Sequence, residues 1–173
     1  LLEDSLGTLW CGTASGLYRL EGGPGGEKLR AVDLGMPHEL WDDPIVGALA
    51  EGGGAIWIGA GSGLYRLARD GRVERYTVAD GLPVPQVRSL AFTNDGDLWI
   101  ATHSGIARLG LTGAGGRARA LSTVSTAQGL PSADVNVVHT TSDGRLWVAT
   151  AAGVSVLDDG KLTSYCRSEG LLG

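Results

Sequence analysis

A run of six residues in one loop contains five side chains suited to binding a sugar. The run is His38-Glu39-Leu40-Trp41-Asp42-Asp43. An indole such as that of Trp41 can pack on the C–H face of a sugar ring, and carboxylates accept hydrogen bonds from sugar hydroxyl groups. A second interpretation is also open, in which Trp41 folds back on the loop or packs on a neighbouring part of the fold. The sequence therefore predicts a candidate ligand site at Trp41, His38, Glu39, Asp42 and Asp43.

His103 is a further candidate, because it lies in a turn where the related stretches carry Ala14, Gly61 and Ala151. Such a histidine either contacts a ligand or is simply solvated. His38, His103 and His139 lack the spacing of metal ligands, so we predict no metal site and no cofactor.

Catalysis has little support in the sequence. Asp42 and Asp43 are adjacent in a loop, which favours hydrogen-bond acceptors over a general acid and base. The chain contains neither a Gly-x-Ser-x-Gly elbow nor a phosphate-binding loop. We therefore predict no catalytic residues in these 173 residues.

A stretch that recurs four times must position these side chains. Each copy has a tryptophan followed six residues later by a glycine, and the copies are 47, 42 and 48 residues apart. The tryptophans are Trp10, Trp57, Trp99 and Trp147, and the glycines are Gly16, Gly63, Gly105 and Gly153. Repeats with a period in the forties are typical of propellers and solenoids.

Within one repeat the pattern predicts four short strands, named A to D in chain order. In the third repeat these are Val87 to Thr93, Leu98 to Thr102, Ile106 to Leu109 and Ala120 to Val124. Strand D is predicted as Leu29 to Leu34 in the first repeat and as Val73 to Val78 in the second. Four antiparallel strands per repeat predict an all-β β-propeller with four blades, in which the tryptophans pack between blades.

We expect one domain over residues 1–173, with repeats at about 1–44, 45–86, 87–134 and 135–173. Four blades are few for a propeller. The first repeat also lacks the start of its strand A. We therefore expect an open arc of a larger ring, with apolar faces exposed on the end blades.

Composition excludes several classes of partner. The net charge is −5 and Lys and Arg do not cluster, so we expect no nucleic acid partner. No apolar run approaches the roughly 18 residues that cross a bilayer, so we expect no membrane contact by this segment.

The repeated pattern Asp-Gly-x-Leu-Trp-Ile-Ala/Gly-Thr-x-x-Gly-Ile/Leu, with Asp-Gly-Leu-Pro after strand D, resembles the two-component regulator propeller repeat. It is carried best by residues 95–109 and 143–157. Departures are Leu6 in place of the turn Asp, a shorter turn at Gly52-Gly53-Gly54, and Val154 after the turn glycine.

The resemblance implies a sensor region, usually a seven-bladed propeller in the periplasm or otherwise outside the cytoplasmic membrane. It implies that the remaining blades and a downstream signalling domain, such as a histidine kinase, are partners in the parent chain. The implied ligand is a small molecule or an oligosaccharide, and the segment itself is not an enzyme. Two alternatives stay open: blades of a propeller lyase or hydrolase, and a protein-interaction scaffold.

In a propeller the loops from strand D to the next strand A share one face with the turns between strands B and C. We call this the D–A/B–C face, and ligands of propellers commonly bind on such a face. It should carry Asp80 and Gln86, which we predict as ligand-binding residues together with His103 and the Trp41 loop. Gln128, Asp134 and Glu169 are expected on the same face.

Overall fold

A computed structural model describes residues 1–23, 25–35, 46–111 and 119–166. In these residues, sixteen strands form four antiparallel sheets of four strands each. The first sheet holds β1 (Leu2–Glu3), β2 (Leu9–Thr13), β3 (Gly16–Glu21) and β4 (Lys28–Val32), and the second holds β5 (Val46–Gly52), β6 (Ala55–Ala60), β7 (Gly63–Ala68) and β8 (Val73–Tyr76). The third holds β9 (Ser89–Phe92), β10 (Leu98–Thr102), β11 (Gly105–Gly110) and β12 (Arg119–Val124), and the fourth holds β13 (Val135–Thr140), β14 (Leu146–Thr150), β15 (Gly153–Asp158) and β16 (Lys161–Cys166).

Each sheet is a simple meander in which consecutive strands are neighbours. The A strands of adjacent sheets, β5, β9 and β13, lie against one another and therefore form the inner side of the arc. This arrangement confirms the predicted all-β propeller architecture with four blades of four strands. An open arc of a larger propeller fits the four sheets.

Several predicted strand ends were wrong by a few residues. Strand D of the first sheet ends at Val32 and not at Leu34, and β8 ends at Tyr76 and not at Val78. After β8 the chain makes a 3-10 turn, Val78–Asp80, because the Thr77 hydroxyl caps it by accepting the N–H of Ala79. The residues before the turn thus leave the sheet early. Strand A of the third sheet also begins later than predicted, at Ser89.

Each sheet has two different faces because side chains alternate along a strand. We call the face with the repeated tryptophan the forward face, since it packs on the next sheet, and the opposite one the rear face. In the third sheet Trp99 and Ile106 lie on the forward face, while Leu98 and Ile100 lie on the rear face.

Three apolar clusters join the sheets, and each combines one forward face with the next rear face. They centre on Trp10, Leu17, Ile56 and Ile58; on Trp57, Leu64, Leu98 and Ile100; and on Trp99, Ile106, Leu146 and Val148. The same positions of the repeat thus build every interface, as expected when one sheet cannot bury both its faces alone.

The predicted packing role is confirmed for three of the four tryptophans. Trp10, Trp57 and Trp99 are 6%, 0% and 6% exposed. Trp147 is 37% exposed, because in the described residues no further sheet covers the forward face of the fourth one. The expectation of apolar end faces is thereby confirmed for this sheet.

The glycine six residues after each tryptophan begins strand C with a positive φ, between 109° for Gly105 and 156° for Gly153. L side chains rarely adopt this conformation. At Gly63, Gly105 and Gly153 a Cβ would also lie 2.4–2.6 Å from a carbonyl oxygen of strand D. Glycine is therefore required for the turn in all four copies and, at these three, for the close approach of strand D.

The turn between strands A and B is fixed by a carboxylate. In the third and fourth sheets the hydroxyls of Thr93 and Thr141 donate to Asp95 and Asp143, each over 2.5 Å. The Thr141 hydroxyl and then the Arg145 guanidinium lower the pKa of Asp143 to about 2.

The first sheet replaces this device, which explains why Leu6 can stand in place of the turn Asp. Asp4 occupies the position of Thr93, and its carboxylate accepts the backbone N–H groups of Leu6 and Thr8 and, over 2.9 Å, the indole N–H of Trp10. Burial raises the pKa of Asp4, but these hydrogen bonds outweigh it and lower the pKa below its usual value. The shorter turn of the second sheet runs through Gly53 and Gly54, both with positive φ.

Neither 3-10 turn, nor any other helix in the described ranges, has the length and apolar character needed to cross a membrane.

Candidate functional site

The predicted loop site falls within residues 36–45, which lie outside the described residues. The ligand-binding roles of Trp41, His38, Glu39, Asp42 and Asp43 therefore stay predictions. The other candidates lie in the described part of the chain.

The D–A loops and B–C turns do form one face, because backbone hydrogen bonds tie them together. The N–H of Gly105 donates to the carbonyl of Ala133 over 2.7 Å, and the N–H of Ala151 donates to the carbonyl of Asp134 over 2.9 Å. The loop between the third and fourth sheets is thus bound to the B–C turns of both sheets.

His103 lies exposed at the tip of one of these turns. The turn is held by Thr102, whose buried hydroxyl donates to the carbonyl of Gly105 over 2.8 Å and accepts the N–H of Ser104 over 3.1 Å. The same bonds occur at Thr13 and Thr150 in the first and fourth sheets. The backbone that presents His103 is therefore well defined, next to the loop that carries Asp134.

Asp80 and Gln86 lie on the predicted face with different surroundings. The Asp80 carboxylate accepts hydrogen bonds from the N–H of Thr77 over 3.0 Å and from the Thr77 hydroxyl over 3.2 Å. These bonds complete the cap of the 3-10 turn. Gln128 has the same capping role beside Ser125. Asp80 thus has a structural role, while Gln86 is exposed. Ligand contact by either residue stays a prediction.

A polar cluster lies on the inner rim of this face. Nη1 of Arg88 donates to Oδ1 of Asp134 over 2.5 Å and to Oδ1 of Asn136 over 3.1 Å. The N–H of Arg88 donates to the carbonyl of Ala101, so its backbone pairs with strand B just before β9 begins. Because strand A is innermost, we call Arg88, Asp134 and Asn136 the rim cluster.

The rim cluster combines donors and acceptors at an accessible place. The side chains of Arg88 and Asp134 are 41% and 47% exposed. A guanidinium has five N–H donors, and here only Nη1 contacts Asp134 and Asn136 among the described residues. Such a set of guanidinium, carboxylate and amide can hydrogen-bond a polar ligand with several hydroxyl groups.

Sequence inspection missed Arg88 and Asn136. Both follow a valine at the start of their repeat, Val87 or Val135, at the position that Gly47 occupies in the second repeat. A large polar residue at a position that is glycine in another copy was the available signal. This signal is weak in the sequence, because a polar residue is also expected wherever an alternating strand faces solvent.

A separate cleft of about 440 Å³ lies between the first and second sheets, at the end of the A–B and C–D turns. It exists because Val32, Glu51 and Arg69 occupy the positions that Tyr76, Phe92 and Leu111 take at the next interface. Glu51 accepts the N–H and the hydroxyl of Ser5, both over 2.6 Å. This cleft lies away from the rim cluster.

In the described residues no group of three or more His, Cys, Asp and Glu side chains is placed to hold a metal ion.

Comparison with known families identifies the repeat. The family described as "Two component regulator propeller" matches residues 81–104 and 129–152. These two segments thus match the two-component regulator propeller repeat, as the resemblance predicted. Among curated proteins, none matches the chain.

Solved structures confirm the propeller fold. Two extracellular domains assigned to hybrid two-component systems of B. thetaiotaomicron superpose with TM-scores of 0.78 and 0.71, at 22% and 19% sequence identity. The matches cover 98% and 89% of this chain but only 23% and 20% of those chains, so the chain spans about a fifth of these relatives. Virginiamycin B lyase from Staphylococcus aureus superposes with a TM-score of 0.66 at 19% identity, covering 96% of this chain and 54% of the lyase.

Proposed function

We propose that this chain is a non-catalytic ligand-binding part of a sensor propeller that lies in the periplasm or elsewhere outside the cytoplasmic membrane. The observation that carries the proposal is the two-component regulator propeller repeat itself, matched at residues 81–104 and 129–152. The likeness to extracellular domains of two-component sensors supports it. The output, such as a histidine kinase, would belong to the parent chain.

The ligand in this proposal is a polar small molecule or an oligosaccharide, bound on the D–A/B–C face. The rim cluster supports this choice, because its guanidinium, carboxylate and amide groups match the alternating donors and acceptors of sugar hydroxyls. His103 and the predicted Trp41 loop would extend the contact surface on the same face. Binding would favour one packing of the blades over another and so bias the output.

A binding experiment on a glycan array, followed by calorimetric titration of the best glycan, tests the site. Arg88→Ala and Asn136→Ala should each weaken binding by about ten- to a hundredfold. Each variant lacks the side chain that would hydrogen-bond the ligand, and in Arg88→Ala the lost donor is charged. Trp41→Ala tests the inserted loop in the same titration.

Arg145→Ala is the matched control. Arg145 is paired with Asp143 as Arg88 is with Asp134, and the two pairs are similarly exposed, but Arg145 lies in an A–B turn on the opposite face. Equal binding by the wild type, Arg88→Ala and Asn136→Ala would show that the rim cluster is not the site.

The alternative is an enzyme, because virginiamycin B lyase shares the fold. Incubation of the parent protein with a panel of polysaccharides separates the two, since an enzyme releases products that mass spectrometry detects. The sequence of the parent gene provides a second test. A parent chain without a transmembrane helix and output domain would contradict the sensor proposal.

A further inference from the structure

The cleft between the first and second sheets combines apolar and charged walls. Its volume of about 440 Å³ is that of a small-molecule site. Arg19 and Val32 line it from the first sheet, and Leu67 and Arg69 line it from the second. Val32 and Leu67 are only half-buried, so apolar surface remains open in the cleft. Apolar walls with a few charged groups are the usual composition of a ligand site.

Arg19 occupies a position of the repeat at which a carboxylate normally lies close by. It corresponds to Arg108 of the third sheet, because each arginine lies opposite the repeated tryptophan on the neighbouring strand. The two guanidinium carbons are 6.0 and 5.9 Å from the centroids of these tryptophan rings. In the third sheet the Arg108 guanidinium is paired with Asp95 and Asp97 of the A–B turn. The geometry at this position therefore accommodates a carboxylate beside the arginine.

The A–B turn of the first sheet replaces both carboxylates. Leu6 stands in place of Asp95 and Thr8 in place of Asp97, and Leu6 and Thr8 both line the cleft. Leu6 is 71% exposed, although it is a large apolar residue. The two replacements thus remove negative charge from beside Arg19 and add apolar surface at the edge of the cleft.

The second sheet pairs its arginine in another way, which the first sheet also lacks. Arg66, the counterpart of Arg19, is paired over 3.1 Å with Glu74, which lies opposite it on strand D. The residue opposite Arg19 on strand D is Arg30. Arg19 and Arg30 share the carboxylate of Glu21, which lies outside the lining of the cleft. On the side of the cleft, Arg19 therefore lacks the carboxylate that its counterparts have.

The cleft offers more hydrogen-bond donors than acceptors. A guanidinium has donors on three nitrogens, and within the described residues the hydrogen bonds of Arg19 and Arg69 run through Nη2 alone. The carboxylates in the lining are largely engaged, since Asp4 accepts three N–H groups and Glu51 accepts three hydrogen bonds. Asp33 is exposed, so solvent screens its charge. The unused donors can form charge-assisted hydrogen bonds with a carboxylate ligand.

We propose that this cleft binds a small carboxylate with an apolar body, such as an aryl acid. The ligand carboxylate accepts hydrogen bonds from Arg19, at the place that the turn carboxylates take beside Arg108, and from Arg69 on the facing sheet. The apolar body packs on Val32 and Leu67. The cleft lies away from the rim cluster, so this inference goes beyond the proposed function and does not depend on it.

Calorimetric titration of the parent protein with phenylacetate tests the proposal. Phenylacetamide has nearly the same shape without the charge, and it should bind about tenfold more weakly. Arg19→Gln should weaken phenylacetate binding by about tenfold, because it removes a charged donor. Arg30→Gln is the matched control, since Arg30 pairs with the same Glu21 but lies outside the lining of the cleft. Its affinity should stay within about twofold of the wild type, because solvent screens this charge.

Thr8→Asp provides a second test that adds a group and removes none of the proposed donors. It returns a carboxylate to the position of Asp97, where it should pair with Arg19 and exclude the ligand carboxylate. Phenylacetate binding should therefore fall by about tenfold or more. Thr8→Asn has the shape of this variant without its charge, and its affinity should stay within about threefold of the wild type. Circular dichroism establishes that each variant is folded.

The proposal would be overturned if the wild type did not bind phenylacetate at millimolar concentration. Equal affinities for phenylacetate and phenylacetamide would overturn it too, and so would an unchanged affinity in Arg19→Gln or Thr8→Asp. These outcomes leave the proposed function untouched, because that function is tested with glycans and with variants of the rim cluster.

Discussion

Gly105→Ala should destabilise the chain more than the same change in the first repeat, although both glycines occupy one position of the motif. Gly16 and Gly105 have φ values of 119° and 109°, so an alanine is strained at either site. A Cβ at Gly105 would lie 2.4 Å from the carbonyl oxygen of Val124, whereas a Cβ at Gly16 meets no heavy atom within 4 Å. The pair therefore separates backbone strain from steric contact.

The magnitudes follow from these two terms. Backbone strain alone should cost Gly16→Ala about 1–3 kcal/mol. Gly105→Ala should cost about 1–3 kcal/mol more, the usual range for overpacking. Val124 pairs with Ile106, so the carbonyl can move away only by distorting the pairing of β11 with β12. The total for Gly105→Ala is therefore about 2–6 kcal/mol.

Urea unfolding followed by tryptophan fluorescence measures both free energies in dilute solution, with equal m values as the check that the transitions are comparable. The first sheet lies at one end of the arc, so position must be controlled. Gly7 and Gly96 occupy the same A–B turn position in the first and third sheets, with φ of 78° and 85° and no heavy atom within 4 Å of a Cβ. Gly7→Ala and Gly96→Ala should therefore cost the same. If Gly7→Ala and Gly96→Ala lose the same free energy of unfolding, and Gly16→Ala and Gly105→Ala also lose equal amounts, the steric argument is refuted.

Two further predictions concern burial and pH. Trp57→Ala, at a fully buried site, should lower the free energy of unfolding by about 3–5 kcal/mol. Trp147→Ala, at a site that is 37% exposed, should lower it by only about 2–3 kcal/mol in dilute solution. Urea unfolding followed by circular dichroism measures both values. Ionised Asp143 stabilises the fold because the Thr141 hydroxyl and Arg145 lower its pKa from 3.8 to about 2. This contribution is complete above pH 3.8 and is lost as the pH falls towards 2, so the urea midpoint of Asp143→Asn should depend less on pH across that window than that of the wild type.

The spacing of the repeat was enough to predict the blades, because the fold uses the same few positions in every sheet. At the three internal interfaces a tryptophan and a small residue two positions later meet the next sheet, and in the second, third and fourth sheets the glycine six positions later meets strand D. At Gly59, for example, a Cβ would lie 2.5 Å from Val87 of the next sheet. Such contacts repeat with the sequence, so periodicity carries them.

Local structure that one repeat forms with different residues could not be predicted from the repeated sequence pattern. Leu6 breaks the motif, yet the turn is kept by Asp4 two residues earlier, through hydrogen bonds that the average repeat does not contain. The early end of β8 depends on the hydroxyl of Thr77. The turn at Asp4 and the early end of β8 each depend on one side chain, and strand periodicity does not predict such effects.

The candidate site follows from the same difference between positions that pack between sheets and positions that do not. Residues that face a neighbouring sheet cannot vary in size without opening a cavity or a clash, so they hold little information about a ligand. The position of Arg88 and the tip of the B–C turn lie outside the apolar clusters between the sheets, and they change from Gly47 to Arg88 and from Gly61 to His103. Only such positions can be fitted to a ligand without cost to the blades. A search for the ligand should therefore begin at the rim cluster and His103, and the tryptophans that first draw attention to the chain should be left to hold the sheets together.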